Sequence, residues 1–528
     1  MLLEKQIFSS VYAFVILKEK KEYAKQMEKT KNWREEKMIG MRFCESSAGS
    51  LVQSSRIQTG WKQAALVLFF TILLCNCGGQ SLEPQEENIT PQNPKDLVSE
   101  ENLVRLTQQM VQINSEFAKG VVHNHKEMAE FLAKEIRDIG VEVEVVYPEK
   151  PFEAPYQKGL GIKYPGDPSD FPVVVARLRG KAGKPVLGLT THYNTVVIGD
   201  RDLWTVDPLG GEIIDGKIYG RGATNSHASV AKRIEILRVL KESGVELRGD
   251  LVVTLVPGEG ATEFGLPWVV EHRPELVTAD WYLAGSIGPR FTKQGGHIWA
   301  KLTVVGTMHH PGRAGVNAAH QMAEVIPAVI DVDRWMTYED DPLFEGRKPH
   351  VEVTVLSSGD PRNVAVNVMP AKVEALLDMR LYPKQEPIKV VAELNQHLDN
   401  LMAENPELNV EFEVTHIQKV PGQAWDVITE EDPLVQEILA FSREFTGNPD
   451  LEMEWSGGVG GGRPDFWNAG AIVIFAGGLD IPGGGHGAHS PDEYVEIDGL
   501  AESTQIVVDL VQRVLKKDIE PVKRQELK

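Results

Sequence analysis

Residues 191–240 carry the clearest indications of fold and function, and we call them the deciding stretch. It reads THYNTVVIGDRDLWTVDP (191–208), then GGEIIDGKIYGRGATNSHAS (210–229), and ends in a helix-like segment, VAKRIEILRVL (230–240). An apolar run from Pro185 to Leu189 leads into His192. The carboxyl ends of parallel strands are where α/β proteins gather their binding and catalytic groups. The sequence therefore predicts that His192 lies at a functional site.

The segments around this stretch alternate between apolar strand runs and helical patterns. Such alternation predicts an α/β fold with a mainly parallel sheet covered by helices on both faces. From Gly296 to Thr415 the order changes to β-α-β-β-α-β, which predicts an inserted, smaller α+β domain. The strand runs predicted before this insertion are Val141–Val146, Val173–Leu178, Val186–Leu189 and Leu251–Val256.

Three motifs in the deciding stretch carry a family resemblance. H-x-(D/N)-T-V, W-T-x-D-P and G-x-I-x-D-G-x-I-Y-G-R-G-A-T follow one another with the order and spacing of the dinuclear-zinc peptidase and amidohydrolase family. That family includes aminoacylase, carboxypeptidase G, acetylornithine deacetylase and succinyl-diaminopimelate desuccinylase. The resemblance extends from about Leu103 to about Leu515. It implies cleavage of peptide or amide bonds with two zinc ions, and a lid domain that pairs two subunits.

The resemblance also implies a role for particular positions, and most of the metal ligands have changed. Only two of the five ligand side chains that the family uses are present here. The mapped positions are His192 and His489 as retained ligands, Asn225, Gly260 and Ser286 as non-ligating replacements, Asn194 in place of an orienting aspartate, and Glu259 as the general base.

Electrostatics indicates what these replacements mean for the metal site. Carboxylates offset the charge of two dications, and two neutral imidazoles with one Glu do this poorly. In a metal-free pocket, carboxylates 4 Å apart repel by roughly 4 kcal/mol at an effective dielectric near 20. We therefore expect no zinc, or weakly bound zinc. A rebuilt single-metal site, made by Glu259, His192 and either His486 or His489, is the alternative. Asn225 is predicted to cap the helix that follows it.

Further positions are expected to serve the ligand rather than the metal. In family terms His310 reaches towards a partner's active site and steadies the reacting carbonyl oxygen, with Asn367 beside it. Arg463 matches an arginine that binds the substrate carboxylate through its two-pronged guanidinium. The alternative for His310 is that it shapes a turn. His123 and His125 are expected to face solvent.

Composition excludes one class of partner. The formal net charge is −21, and the first 77 residues carry 12 Lys or Arg against 7 Asp or Glu, so the remainder is near −26. An acidic surface of this kind repels nucleic-acid phosphates, so no nucleic-acid partner is expected.

The amino-terminal region has the layout of an export signal. An apolar run, Ala64–Leu74, follows Arg56 and Lys62 and is too short to cross a membrane comfortably. Cys77, followed by two glycines, resembles a bacterial lipoprotein processing site, which predicts an exported lipoprotein held in the cell envelope by a lipid anchor. A plain exported protein or a short signal anchor is the alternative.

These observations divide the chain into six parts. They are a leader of uncertain status (1–63), the signal and lipoprotein processing site (64–80), a flexible tether (81–97), the first part of the catalytic-type domain (98–295), the inserted lid or dimerisation domain (296–415), and the second part of the catalytic-type domain (416–518).

Three functions remain open from the sequence. The first is a lipoprotein that binds a small carboxylate-bearing peptide or N-acyl amino acid, with metal-dependent hydrolysis lost or much reduced. The second is an active metallohydrolase that cleaves amide bonds with a rebuilt or single-metal site. The third is a scaffold or adhesin that uses only its acidic surface. A homodimer formed through residues 296–415 is expected in either of the first two.

Overall fold

A computed structural model of the protein describes residues 92–118, 121–150, 166–259, 265–344, 346–358, 366–382, 384–418, 429–458, 464–479 and 484–522. Three positions predicted above, Cys77, Gly260 and Arg463, lie outside these ranges. Within the described ranges, no helix combines the length and the apolar character needed to span a bilayer.

The first part of the chain builds most of one large sheet and the helices around it. A pair of two-residue antiparallel strands, Phe117–Ala118 and Val121–Val122, precedes the strands of this sheet. The helices are α1 (Glu100–Val111), α2 (His125–Asp138), α3 (Ala228–Glu242), α4 (Gly265–His272) and α5 (Pro274–Val277). The strands are β1 (Glu142–Val146), β2 (Val173–Leu178), β3 (Val186–His192), β4 (Asp250–Val256), β5 (Trp281–Gly285) and β6 (Arg290–Gln294).

The chain then forms a separate antiparallel sheet with two helices. Its elements follow the predicted β-α-β-β-α-β order, and the strands pair in the order β8-β9-β7-β10. They are β7 (His297–Val305), α6 (Ala318–Ile330), β8 (His350–Ser357), β9 (Lys372–Arg380), α7 (Pro387–Glu404) and β10 (Val410–Gln418).

The last part of the chain returns to the large sheet and completes it. It contributes α8 (Pro433–Thr446), β11 (Glu454–Gly458), α9 (Pro464–Asn468), β12 (Ile472–Gly477) and α10 (Leu500–Leu515). The eight strands lie in the order β11-β6-β12-β5-β3-β4-β2-β1. The pairs β11-β6, β12-β5, β5-β3 and β3-β4 are parallel, and the others are antiparallel. The predicted fold class, a mainly parallel sheet flanked by helices with a smaller inserted domain, is confirmed.

Helix α3 is buried against the large sheet because its apolar residues recur at helical spacing. Val230, Ile234 and Leu237 are at most 1% exposed. Each such side chain contributes about 1.5–3 kcal/mol when it leaves water. This packing fixes the helix beneath the carboxyl ends of β3 and β5, so that the loop before it is held next to His192.

A small four-stranded sheet joins two loops that are distant in sequence. Two of its strands come from the deciding stretch, Ile213–Ile214 and Lys217–Tyr219. The other two come from near the end of the chain, Gly485–His486 and Tyr494–Glu496. Val495 pairs with Ile218, and both are buried. The sheet therefore holds the loop that carries His489 beside the loop that carries Asn225.

Candidate functional site

The site lies where three neighbouring parallel strands end. His192 is the last residue of β3 and is 8% exposed. Glu259 follows β4 by three residues, and Ser286 follows β5 directly. Because β4, β3 and β5 are adjacent and parallel, their carboxyl ends bring these positions to one edge of the sheet.

The side chain of Asn225 lies at the centre of the site. Its Oδ1 is 3.0 Å from Nε2 of His192, and its Nδ2 is 2.8 Å from Nε2 of His489 and 3.4 Å from Oε2 of Glu259. The two oxygens of Glu259 are each 3.4 Å from one histidine, Oε2 from His192 and Oε1 from His489. We call these four residues the Asn225 cluster.

The prediction that Asn225 caps helix α3 is wrong. Helix α3 begins at Ala228, and its preceding residue, His227, makes no side-chain capping bond. Asn225 has non-helical dihedral angles, φ −120° and ψ 83°, inside a kinked turn from Ala223 to His227. Because its amide is turned towards the two histidines and Glu259, it is not available to the first N–H groups of the helix.

Asn194 supports Glu259 rather than orienting His192 with its side chain. Its Oδ1 accepts from the backbone N–H of Glu259 at 3.0 Å, and its Nδ2 donates to the Glu259 carbonyl at 2.8 Å. The ring of His192 is held by the backbone instead, with Nδ1 2.9 Å from the Asn194 carbonyl. An amide can both accept and donate here, whereas an ionised aspartate only accepts.

A buried ion pair fixes the backbone at Asn225, and the sequence analysis missed it. Arg221 and Glu493 are 3% and 1% exposed in their side chains, and Nη1 of the arginine is 2.5 Å from Oε2 of the carboxylate. The other carboxylate oxygen accepts from the backbone N–H groups of Thr224 and Asn225, at 3.2 and 3.0 Å. The signal in the sequence was the Arg of GRGAT and the Glu of SPDEY, a positive and a negative side chain in the two motif loops that meet.

Asp492, the residue before Glu493, makes a second link between the same regions. It accepts from the backbone N–H and the hydroxyl of Thr205, both at 2.8 Å. His489 itself has a left-handed backbone, with φ +66°, and its side chain is 52% exposed. The histidine is thus exposed on a loop that Asp492 and Glu493 anchor just after it.

The other histidines near the site do not join the cluster. His227 is buried and bonds through Nε2 to the Tyr193 carbonyl at 3.1 Å, and burial lowers its pKa to about 3. His486 is exposed and packs beside Tyr494, with ring centroids 5.7 Å apart. Among the described residues, His489 is therefore the histidine of the carboxyl-terminal loop that contacts Asn225.

Two of the residues expected to serve the ligand, His310 and Asn367, lie on the inserted domain. His310 is exposed, and its Nδ1 accepts from the backbone N–H of Gly312 at 3.1 Å, a bond inside its own turn. The backbone N–H of Met369 donates to the His309 carbonyl at 2.9 Å, which brings the exposed turn at Asn367 beside this one. Their roles towards a ligand, and that of Arg463 outside the described ranges, stay predictions.

His125 does not face solvent, contrary to the sequence prediction. It is 1% exposed, and its two ring nitrogens lie 3.2 and 3.1 Å from the carbonyls of Asp170 and Ser115. Burial lowers its pKa to about 4. His123, in contrast, has a side chain that is 39% exposed.

Comparison with known proteins supplies the family. The model of the family described as peptidase family M20/M25/M40 matches residues 188–513, which is more than half of the chain. The chain belongs to peptidase family M20. The resemblance found in the deciding stretch is thereby confirmed.

Relatives within the M20 family show what the chain is similar to. It is 25% identical over 373 residues to a Bacillus subtilis N-formyl-4-amino-5-aminomethyl-2-methylpyrimidine deformylase, covering 66% of this chain and 83% of the relative. It is 25% identical over 349 residues to a succinyl-diaminopimelate desuccinylase of Thioalkalivibrio sulfidiphilus, covering 64% and 85%. The crystal structure of human carnosine dipeptidase 1 has the same fold, with a TM-score of 0.62, 16% identity, and coverage of 80% of this chain and 98% of that one.

M20 proteins normally bind zinc, and the donor atoms present here do not fit two ions. The central position is an amide, Asn225, whose nitrogen is neither anionic nor a ligand for a cation. Ser286 brings no carboxylate to the end of β5, and Glu259 is the single carboxylate in the cluster. Two dications in one small space require more negative charge than one Glu supplies. The side chains described at this site therefore do not match a two-zinc ligand set.

Proposed function

We propose that this protein binds a small carboxylate-bearing peptide or N-acyl amino acid, with metal-dependent hydrolysis lost or much reduced. The observation that carries the proposal is the placement of the Asn225 amide, whose Oδ1 lies 3.0 Å from Nε2 of His192 and whose Nδ2 donates to Nε2 of His489 and to Oε2 of Glu259. The side chains of the cluster thus contact one another directly through Asn225.

The presence of an amide instead of a carboxylate at residue 225 supports the proposal that hydrolysis is lost or much reduced. An amide has both a donor and an acceptor, so Asn225 can pair with both histidine rings and also donate to Glu259. A carboxylate would only accept, and it would face Glu259 across the 3.4 Å that now separates Nδ2 from Oε2. Asparagine at residue 225 therefore suits a metal-free cluster, and aspartate would suit a metal.

The ligand class comes from the relatives and from the residues expected to face the cleft. Relatives named a desuccinylase and a dipeptidase support a ligand with an amide bond and the size of an acylated amino acid or short peptide. His310, Asn367 and Arg463 are the proposed ligand contacts. We further propose that Cys77 carries a lipid anchor in the envelope of a bacterium, and that residues 296–415 pair two copies of the chain.

An active hydrolase with a single metal is the second candidate, and one observation favours it. The two oxygens of Glu259 each lie 3.4 Å from the Nε2 of a histidine, so two imidazoles and one carboxylate already converge. Two His and one Glu form a known catalytic zinc set. For an ion to enter, the Asn225 amide has to leave the position between the two rings.

Metal analysis of the purified protein separates these candidates first. We expect well under one zinc per chain after purification without added metal, by mass spectrometry of the elements. Two zinc ions per chain would contradict the proposal and the mapping of the ligand positions.

Ligand and turnover assays complete the test. N-acyl amino acids and dipeptides are offered with added Zn, Mn or Co. A rise in thermal unfolding temperature with an uncleaved ligand supports the binder, since a ligand that binds only the folded state stabilises it. Turnover that disappears in Glu259→Gln supports the hydrolase instead. Glu142→Gln, which changes an exposed carboxylate on β1, is the matched control.

A further inference from the structure

Helix α3 carries two adjacent cationic side chains, the half-buried Lys232 and the buried Arg233. Arg233 is 7% exposed. Burial lowers the pKa of Lys232 to about 8 and that of Arg233 to about 10. Within the described ranges neither side chain forms an ion pair with a carboxylate. Burying a cation without an anionic partner is costly, and such a group needs an explanation.

The guanidinium of Arg233 is held weakly by the protein itself. Its Nη1 is 3.4 Å from the Ser229 carbonyl and its Nη2 is 3.3 Å from the Gly285 carbonyl, both beyond the usual range for such bonds. Its Nε is buried and has no hydrogen-bond partner. Much of the hydrogen-bonding capacity of this cation is therefore unused.

The helix does not supply a counter-charge either. The nearest acidic residue along it, Glu235, accepts from the backbone N–H of Ser99 at 2.7 Å and from the side chain of Asn102 at 2.6 Å, and it pairs with Arg238. The first turn of α3 carries no acidic residue. The partial positive charge at the helix amino terminus adds to the charge of the two cations.

Arg233 lies beside the carboxyl edge of the large sheet, where the Asn225 cluster also lies. Gly285 ends β5, and both Gly285 and the next residue, Ser286, are exposed at the carboxyl edge of the sheet. Gly285 has no side chain to cover the guanidinium beneath it. Residue 286 is also where the family would place a carboxylate, and that carboxylate would have stood beside the carbonyl that Arg233 contacts.

We infer that Arg233 forms an anion subsite beside Gly285 and Ser286, with Lys232, the preceding residue of the helix, adding its positive charge. This subsite takes the carboxylate of the bound peptide or N-acyl amino acid, the role that the family resemblance gives to Arg463. The inference rests on the proposed function for the identity of the anion. A guanidinium suits a carboxylate because two of its N–H groups can bond both oxygens. The ligand then supplies the negative charge that the protein lacks at this point.

The test compares an acid and its neutral amide on the full-length protein in the presence of a chelator. N-acetylglycine is expected to raise the thermal unfolding temperature, and N-acetylglycinamide is not. Arg233→Met keeps most of the side-chain volume and should weaken N-acetylglycine binding roughly ten- to a hundredfold, the usual effect of losing a charged hydrogen bond. Lys232→Met should weaken it less. Lys241→Met, which removes an exposed charge from the far end of the same helix, should change nothing.

The outcomes separate this inference from the proposed function. If folded Arg233→Met binds N-acetylglycine as tightly as the wild type, the inference is overturned and the proposed function stands. If no N-acyl amino acid or dipeptide binds, but sodium acetate stabilises the wild type and not Arg233→Met, the anion subsite stands and the proposed ligand class falls. If none of these probes binds, both fall.

A second variant keeps the test decisive should Arg233→Met fail to fold. Ser286→Glu places a carboxylate next to Gly285 and so provides Arg233 with an internal counter-ion. In chelator, we expect this variant to unfold at a higher temperature than the wild type and to lose its response to acetate. An unchanged response to acetate would overturn the inference.

Discussion

The Asn225 cluster lies just before helix α3 and the Lys232–Arg233 pair lies on the helix, and the two differ in how their polar groups are paired. In the cluster, the Asn225 amide has a partner at each of its atoms, and a buried ion pair holds its backbone. At the pair, a cation is buried with one donor unused. The carboxyl edge of the large sheet thus carries a closed hydrogen-bond network around Asn225 and, next to it, a buried guanidinium with a donor that has no partner.

The largest expected effect comes from removing the cation of the buried Arg221–Glu493 pair, so that the Asn225 cluster, like Arg233, has an unpaired buried charge beside it. Arg221→Met leaves the buried Glu493 carboxylate without its cation. We expect a loss of about 3–5 kcal/mol in the free energy of unfolding, the usual effect of breaking a buried pair. Urea unfolding followed by fluorescence measures it. Arg179→Met, which breaks an exposed pair with Glu142, should have little effect, and equal losses in the two variants would contradict the assignment.

A charge at the centre of the cluster is the next largest change. Asn225→Asp faces Glu259 with a second carboxylate and removes the donor to His489. We expect about 3 kcal/mol of destabilisation in chelator, because like charges this close repel by roughly 4 kcal/mol at an effective dielectric near 20. Added zinc should recover much of this loss, as read from unfolding in chelator and in zinc. Asn225→Ala, which adds no charge, should gain nothing from zinc, and the same zinc response in both variants would count against the mapping.

Lowering the pH adds a positive charge at another buried group, the ring of His125. The pKa of His125 is lowered from 6.5 to about 4, so the folded state favours its neutral form. Its stabilising effect is complete above pH 6.5 and is lost as the pH falls towards 4. We expect His125 to account for about 2 kcal/mol of stability lost between pH 7 and pH 4.5. His125→Phe should make the free energy of unfolding depend less on pH between pH 7 and pH 4.5. His123→Gln, which changes a half-exposed ring, should leave this dependence unchanged. The same slope in His125→Phe as in the wild type would refute this account.

The smallest expected effect concerns the closure of the network around Glu259. Asn194→Asp keeps the acceptor for the Glu259 N–H and removes the donor to its carbonyl. We expect a loss of about 1–2 kcal/mol, since one buried carbonyl loses its bond. Asn194→Ala, which removes both bonds, should cost more. If the aspartate variant is as stable as the wild type, the amide is not needed to hold the loop.

Strands and helices followed from the sequence because their patterns are local. The strand Val173–Leu178 has the predicted bounds. Strand β3 runs three residues beyond the predicted Leu189, to His192, because its pairing with β4 continues through Thr190 and Thr191. Apolar periodicity does not register such polar residues inside a strand.

The site was predicted in part, and its misses have a common cause. His192, Glu259 and His489 were singled out from motifs, and the structure brings them together around Asn225. The orientation of Asn225 was missed because Glu493, far along the chain, holds its backbone N–H. The burial of His125 was missed because its partners, Ser115 and Asp170, are backbone carbonyls. Bonds to a distant carboxylate or to backbone carbonyls leave no periodic pattern of residue types in the sequence.

The small sheet that joins Lys217–Tyr219 to Tyr494–Glu496 has a consequence for how the protein is made. The Asn225 cluster takes its residues from both halves of the chain, and about 270 residues lie between Asn225 and Glu496. At typical rates of synthesis, those residues take on the order of 10–50 seconds to emerge. During that interval His192 and Asn225 have no His489 to contact, so a chain truncated before the last loop cannot form the cluster.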